Sequence, residues 1–394
     1  MEDLKFEESI NALNIMENTN KNLYLTKAAK STLVNFFISK TKKKFILLTT
    51  IAAINIGQTI HSFFNLIPQR TNIKQATKEI VKDTDIFIID EVSMMRADLF
   101  DKINTIMKMI MNDEFLKQFV FVDLLQLPPV PERDEELKKY YNEKYKLFFF
   151  DNSFIREKFE VIELKKVYRQ EDPKFINMLN RLRIDKSQDL LDYFNNRVVE
   201  KDQINPKSIV VATTNYIVNT KNNLELAKLP NTEFSKAIVK EYPKEDFPTE
   251  ELIKMKVARI MFTTNENLTF AFANTLTITK INKNSSFITT VEVTLDEITI
   301  EVNKKTWQKT DEDEFEPIIT TFTQFPFKLA FAITIHKSQK SFDNVVIDLT
   351  AFVDQVYVAI SRCRSYELQL LQPIRKKDIS ISTHVLRFLK TQND

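Results

Sequence analysis

Two acids, Asp90 and Glu91, close the apolar run of IFIIDEVSMM (Ile86–Met95), and they are the clearest carriers of chemistry in the sequence. Such a run delivers both carboxylates to one point. The first then suits holding Mg²⁺ and the second suits deprotonating an attacking water, as in the Walker-B element of an NTPase. The same pair also reads as a strand end with two solvated acids. FVFVDLLQLPPV (Phe119–Val130) repeats the geometry with Asp123 and Gln126. An uncharged amide suits sensing of a terminal phosphate, although taken alone this stretch reads better as a turn before Pro128-Pro129.

Arginines follow apolar residues in LKKVYRQED (Leu164–Asp172) and VYVAISRCRS (Val356–Ser365). Arg169 and Arg362 have the charge and fork geometry to neutralise a transferring phosphoryl group; the plainer reading of each is a solvated or salt-bridged cation. IAAINIGQTIHSFF (Ile51–Phe64) supplies His61, Phe63 and Phe64, and FAITIHKSQKSFDNVVIDL (Phe331–Leu349) supplies Thr334, His336, Lys337 and Ser338. Aromatics interleaved with hydroxyls and cations suit single-stranded nucleic acid, through stacking and phosphate contacts. In a chain with 32 phenylalanines, core packing is the favoured reading for at least one of Phe63 and Phe64.

LTKAAKSTL (Leu25–Leu33) has the Lys-Ser-Thr of a phosphate-binding loop but none of its glycines. The deficit is general. The 394 residues include one glycine, Gly57, where an average composition of about 7% gives roughly 28. Glycine is the default residue wherever the backbone needs φ > 0 or must approach a ligand closely.

The elements that must position these residues are short β-branched or aromatic runs ending in polar clusters: Leu23–Thr26, Phe45–Thr49, Ile86–Ile89, Phe119–Val122, Ile209–Ala212 and Val345–Leu349. Helical stretches such as Ser31–Ser39 and Ala97–Met111 lie between them. Buried strands alternating with helices predict parallel α/β sheets, with ligands at the strand C-terminal ends. From Leu276 to Phe322 the pattern alternates instead, in TLTITKI, SFITTVEV and EITIEV, and predicts an inserted antiparallel unit.

Composition excludes several classes. The single cysteine, Cys363, rules out an internal disulfide, and one Cys with three His cannot build a conventional zinc cluster. No apolar run reaches the ~18 residues of a membrane span, and the acidic start MEDLKFEESI is unlike a secretory signal. A net charge of +2 requires any nucleic-acid surface to be a local groove.

Taken in order, TIAAINIGQTIHSFF, FIIDEVSMM, DLLQLPPV, VYRQED, AITIHKSQ and QVYVAISRCRS resemble the successive motifs of the petite-integration-frequency (PIF) family of superfamily-1 DNA helicases, relatives of RecD. The resemblance runs from about Asn22 to Ile374. It implies two RecA-like P-loop domains with parallel sheets and a small inserted antiparallel β-barrel. The first domain is expected over 1–165, with a strand-separating wedge near 69–77. The second is expected over 166–270 and 324–394, and the barrel over 271–323.

The implied activity is ATP-dependent 5′→3′ movement on single-stranded DNA with unwinding of duplex or structured DNA, using ATP and Mg²⁺. Nucleotide binding falls to Thr26, Lys27, Lys30, Ser31, Thr32, Gln126, Arg169, Gln339 and Arg362. Lys30 contacts the β/γ-phosphates, Ser31 and Asp90 hold Mg²⁺, and Glu91 activates water. Gln126 and Gln339 sense the γ-phosphate, while Arg169 and Arg362 act from the second domain. DNA contacts are expected from Thr50, His61, Phe63, Phe64, Thr213, Asn215, Thr334, His336, Lys337 and Ser338. Partners would be single-stranded DNA and duplex or G-quadruplex junctions. The protein is expected to be a monomer without a membrane segment, cytoplasmic and nucleoid-associated if bacterial. The family's adenine-contacting glutamine has no counterpart in Glu7–Asn20.

Family members read like FLTGKAGTGKS at the nucleotide loop, and inserting three glycines here gives LT(G)KA(G)A(G)KSTL. The same repair fits T(G)IAA, V(G)DLLQLPPV and KSQ(G)KSFD. Each site is one residue short with its neighbours intact, a pattern of omission rather than substitution. The molecule is therefore expected to carry glycines that the written sequence lacks. Two other readings remain at this point: a nucleic-acid-binding protein with an inactive ATPase, and a P-loop NTPase acting on a partner other than nucleic acid.

Overall fold

The computed structural model describes residues 6–27, 30–49, 58–67, 70–71, 73–112, 117–122, 124–126, 128–129, 147–151, 158–164, 170, 172–230, 233–240, 252–255, 258–263, 276–284, 287–295, 298–311, 318–335, 342–350, 356–364 and 367–391. The chain forms two compact units. One comprises Met1–Leu191, Val353–Val358 and Arg375–Asp394; the other comprises Asp192–Phe352 and Ala359–Ile374.

In the first unit, helix α1 (Glu7–Asn18) precedes β1 (Asn22–Lys27), which leads to α2 (Lys30–Lys40) and β2 (Phe45–Thr49). Then come β3 (Gln58–Thr59), α3 (Ile60–Phe64), the short strands β4 (Leu66–Ile67) and β5 (Arg70–Thr71), and α4 (Gln75–Lys82). Strand β6 (Ile86–Asp90), α5 (Ala97–Ile110), β7 (Lys117–Val122) and β8 (Phe159–Leu164) follow, then α6 (Pro173–Leu182) and α7 (Gln188–Asn195). The main sheet has the order β3-β2-β6-β7-β1-β8, and every pairing in it is parallel.

Side-chain alternation explains why this sheet is buried on both faces. Leu23 and Leu25 of β1, with Ile86 and Ile88 of β6, pack with α1 and α2 residues such as Met16 and Phe37. Tyr24, Phe87 and Ile89 point the other way, into a core with Phe100, Ile103 and Met107 of α5. Near-continuous apolar strands are what a parallel sheet covered by helices requires.

The C-terminal part of the chain completes that core. Phe388, in the helix over Thr383–Thr391, stacks on Phe150 at 4.4 Å between ring centroids. In the same helix, His384 Nε2 donates to the buried Asp151 carboxylate over 2.7 Å.

The second unit holds β9 (Ile209–Ala212), helix α8 (Asn215–Lys228), β10 (Glu233–Lys236), β11 (Ile238–Lys240), β12 (Leu252–Met255) and β13 (Arg259–Phe262). Strands β14 (Leu276–Asn284), β15 (Phe287–Leu295), β16 (Ile298–Asn303), β17 (Lys305–Asp311), β18 (Ile318–Gln324) and β19 (Phe327–Leu329) follow. Strands β20 (Ala332–Thr334), β21 (Val345–Ile347) and β22 (Leu368–Leu370) end the series; α9 (Val356–Ile360) begins with residues of the first unit, and the helix over Thr383–Thr391, also of the first unit, is α10.

A parallel sheet runs β20-β9-β21-β22. Its edge strand β20 is held by Asn222 of α8. The Asn222 amide donates to Ala332 O (3.0 Å) and its carbonyl accepts from Ala332 N (2.8 Å), so backbone groups at that edge are satisfied without another strand. Such complete pairing is what a buried amide needs, because an unpaired partner would carry the full desolvation penalty.

The expected closed barrel is not what the described residues form. Strands β13 to β16 and β19 make an antiparallel sheet of order β16-β15-β14-β13-β19 around Ile260, Ile278, Val291 and Phe327. The next strand, β17, leaves that sheet and pairs with β18, which pairs in turn with β11 from upstream. The alternation over Leu276–Phe322 identifies antiparallel strands, but it does not say that they divide between two sheets.

Arg259 ties the five-stranded sheet to the parallel one by donating to Ser208 O (2.9 Å) and Pro206 O (3.1 Å), just before β9. Every apolar run singled out from the sequence forms a parallel strand.

Candidate nucleotide site and nucleic-acid interface

The register of the first sheet brings the carboxyl end of β1 and the acidic pair to one edge. Tyr24 pairs with Val120, and Val120 with Ile89, so Asp90 emerges at the height of Leu25, two strands away from β1. Two strand spacings are about 10 Å. From β1 the chain passes to β2 on one side, whereas β7 leads to β8 on the other. The carboxyl ends of β1 and β7 therefore border the switch-point crevice where α/β sheets take ligands.

Thr26 is buried at the end of β1, and Lys30 and Ser31 begin α2, with Thr32 exposed beside them. Residues 28–29 lie outside the described residues, as do the side chains of Lys27, Lys30 and Ser31. Strand β1 runs unbroken across Thr26–Lys27, with Thr26 opposite Glu163 and Lys27 opposite Leu164. In the chain as written, that junction holds no extra residue. The Val122–Asp123 and Gln339–Lys340 junctions lie outside the described residues.

Asp90 and Glu91 are both half-buried, and their backbones differ sharply. Asp90 ends the strand, while Glu91 adopts the left-handed conformation at φ 56°, ψ 44°. Left-handed geometry costs an ordinary L-residue about 1–2 kcal/mol. Among the described residues the other two in this region are asparagines, Asn65 and Asn112, a type that tolerates it. In this turn the Glu91 amide donates to Asp90 Oδ1 over 2.8 Å, fixing the first carboxylate while the chain reverses into the short helix Val92–Met94. Strain of this kind, held by a buried strand on one side and a helix on the other, is a feature of sites rather than of generic strand ends.

Gln126 is half-buried in the bend after β7. Asp123, Arg169 and Gln339 lie outside the described residues. Arg362 is buried, its backbone amide donating to Ala359 O at the end of α9 and its carbonyl accepting from Phe342 N.

The nucleic-acid candidates separate. His61 is exposed on α3, whose start is capped by Thr59 Oγ1 accepting from Ser62 N (3.2 Å). Its imidazole pKa is pushed below the ordinary value by surrounding protein and then by the charge of Lys102. Phe63 is half-buried and meets Phe64 edge-on at 4.9 Å. Phe64 is a correction: it is fully buried against Phe87 in the sheet core and has no face for a base.

Thr334 is buried at the end of β20. Thr213 donates to Thr350 O (3.3 Å), and Asn215 is exposed in the first turn of α8. Thr50, His336, Lys337 and Ser338 lie outside the described residues. Around the segment expected as a wedge, β4 and β5 pair antiparallel, Leu66 opposite Thr71 and Ile67 opposite Arg70, and α4 begins at Gln75.

Arg183 and Tyr357 were missed from sequence. They share a pocket with Gln126, and Arg183 lies over the Tyr357 ring at 5.3 Å. Arg183 sits in no motif with a chemical signature, and Tyr357 lies in VYVAISRCRS, where only Arg362 was singled out.

Comparison with known proteins agrees with this geometry. A family model described as PIF1-like helicase matches residues 12–201. The chain is 28% identical to "ATP-dependent DNA helicase Pif1" of Campylobacter jejuni, covering 94% of this chain and 95% of that protein. It is 27% identical to the Xenopus laevis PIF1 helicase over 86% of this chain, but spans only 56% of that longer relative. The Campylobacter alignment extends over 437 positions, more than the 394 residues of this chain. That relative therefore has residues at many positions where this chain has none.

Among solved structures, Bacteroides Pif1 bound to single-stranded DNA superposes with a TM-score of 0.81 at 26% identity, over 98% of this chain and 96% of that one. A Pif1 helicase from Bacteroides in complex with ADP-AlF3 and single-stranded DNA gives 0.81 at 28% identity, over 98% and 97%. Ordered motifs, sheet topology and near-complete coverage coincide, and the chain is similar to PIF1-like helicases along nearly its whole length.

Proposed function

We propose that the protein is an ATP-dependent 5′→3′ DNA helicase that translocates on single-stranded DNA and unwinds duplex or structured DNA. The observation that carries this is the strained Asp90–Glu91 turn at the switch-point edge of the first sheet, beside the β1–α2 connection.

Mg²⁺ fits the residues present. Asp90 offers a hard carboxylate oxygen with Ser31 as the second ligand. Among the described residues no group of three His, Cys, Asp or Glu side chains could hold a metal. That suits an ion which binds through one or two carboxylates plus substrate phosphates. When bound, it neutralises charge on the phosphate oxygens.

The chain's own residues do the rest. Lys30 pairs with the β/γ-phosphates, and Gln126 and Gln339 hydrogen-bond the terminal phosphate. The Glu91 carboxylate takes the proton of the attacking water, while Arg169 and Arg362 offset charge on the transferring group. The family resemblance calls for glycines in the nucleotide loop, whose backbone N–H groups would cradle phosphate, whereas strand β1 of this chain runs unbroken across Thr26–Lys27. For DNA contacts the candidates among the described residues are His61, Phe63, Thr213 and Asn215; Thr50, His336, Lys337 and Ser338 are proposed from the motif resemblance alone, and Thr334 is buried at the end of β20. The segment near 69–77 is the strand-separating wedge, and the antiparallel strands aid DNA engagement.

ATP hydrolysis measured against a titration of single-stranded oligonucleotide tests this reading. Stimulation by the oligonucleotide supports it. Binding without hydrolysis would make the protein a nucleic-acid binder with an inactive ATPase, and hydrolysis indifferent to DNA would point to another partner.

A further inference from the structure

The most exposed large apolar side chain among the described residues is that of Tyr216, 81% exposed in the first turn of α8. A scattered apolar side chain on a surface needs no explanation. Tyr216 is set apart by its neighbours. Spacings of three, four and seven residues put Asn219, Thr220 and Asn223 on the same side of the helix, and all three are exposed. The stripe is one ring followed by two amides and a hydroxyl, without a charge. The one acid in α8, Glu225, is paired with Lys228.

The other side of α8 is fastened to the sheet. Asn222 bonds both backbone groups of Ala332, and Lys221 reaches the buried Asp348 carboxylate at 3.2 Å. Asp348 Oδ1 also accepts from Thr350 N (2.9 Å) and Gln372 Nε2 (3.2 Å). Thr213, three residues before Tyr216, donates to Thr350 O, and Thr214 Oγ1 caps the helix by accepting from Ile217 N (3.3 Å). The ring therefore stands on a helix whose start is locked to the carboxyl ends of β9 and β21, the edge at which a parallel sheet takes ligands.

A fixed, solvent-facing π-surface followed by neutral hydrogen-bonding groups suits an unpaired base with its sugar and phosphate. Stacking accepts any base, amides and hydroxyls bond backbone oxygens, and no carboxylate on the stripe repels the strand. We propose that Tyr216 stacks on a base of single-stranded DNA and that Asn219, Thr220 and Asn223 carry the same strand along α8. The assignment rests on the DNA reading above and deepens it, extending the candidates Thr213 and Asn215 along the helix.

Anisotropy of a labelled oligothymidylate, without nucleotide, measures the contact. Tyr216→Ala is expected to weaken binding about tenfold, within the range for one stacked base. The slope of log affinity against log salt stays as it is, because no cation is lost. Tyr216→Phe keeps the π-face and binds within about twofold of the unmutated protein. Tyr216→Trp puts a fluorophore at the site, and oligothymidylate quenches its emission beyond any change in the unmutated protein, whose one tryptophan is Trp307. Full affinity in Tyr216→Ala, a Phe variant as weak as the Ala variant, or an unquenched Tyr216→Trp protein overturns the assignment and leaves the ring for a protein partner. Binding that ignores the ring refutes only this assignment, whereas no binding by the unmutated protein refutes the DNA reading and the assignment with it.

Discussion

The Glu91 amide donates to the Asp90 carboxylate over 2.8 Å while Glu91 stands in the left-handed region. Two acids adjacent in sequence are thereby given different tasks. Asp90 continues the strand with its carboxylate held, and Glu91 is turned out of strand geometry at a conformational cost.

Removing the Glu91 charge without changing its shape isolates its chemical role. Glu91→Gln is expected to bind ATP and single-stranded DNA as the unmutated protein does and to lose at least ~100-fold in turnover, the usual contribution of a positioned general base. Steady-state ATPase beside a nucleotide-binding titration checks this. Turnover like that of the unmutated protein would remove Glu91 from the mechanism.

Strain at the same residue predicts an opposite effect on stability. Glu91→Gly relieves the left-handed penalty but gains freedom in the unfolded chain, and relief is the larger effect. Denaturant unfolding of the first unit should show a gain of about 0.5–1 kcal/mol together with loss of ATPase. A less stable Glu91→Gly protein would mean that the turn is not strained.

His61 gives a pH signature. Its folded pKa lies below the ordinary 6.5, so it is neutral at pH 7. As pH falls through 6.5 the unfolded chain takes up the proton first, so its contribution disfavours folding increasingly until the folded pKa is passed. For DNA, a neutral ring binds by stacking or hydrogen bonding. His61→Ala should weaken oligonucleotide binding at pH 7.5 without changing the slope of log affinity against log salt. A slope reduced by about one phosphate contact would show a charged histidine instead.

The glycine deficit has a test in mass. At average composition about 28 glycines are absent, and the natural protein should then weigh roughly 1.6 kDa more than the 46.3 kDa of the written chain. Intact-mass spectrometry of the natural protein reads this directly, and a mass of 46.3 kDa refutes the proposal.

The parallel sheets were legible because apolar strand runs ending in polar residues specify both burial and the ligand edge; Ile86–Asp90 and Ile209–Ala212 are examples. Phe64 was not legible. A His-Ser-Phe-Phe stretch has the same composition whether its second ring faces a base or packs on Phe87, and only the helical turn of α3 decides. The division of β14–β18 between two sheets was hidden because alternation reports which face is buried, not which strand is the neighbour. Arg183 and Tyr357 were invisible for a related reason: they lie far apart in sequence and become a pair only through the fold.

The central claim is tested most directly by strand displacement on duplexes carrying a single-stranded tail at either end. The account predicts ATP-dependent unwinding of the 5′-tailed duplex, abolished by Glu91→Gln, and none of the 3′-tailed one. Unwinding from the 3′ tail, or no displacement by a protein that hydrolyses ATP on single-stranded DNA, would contradict it.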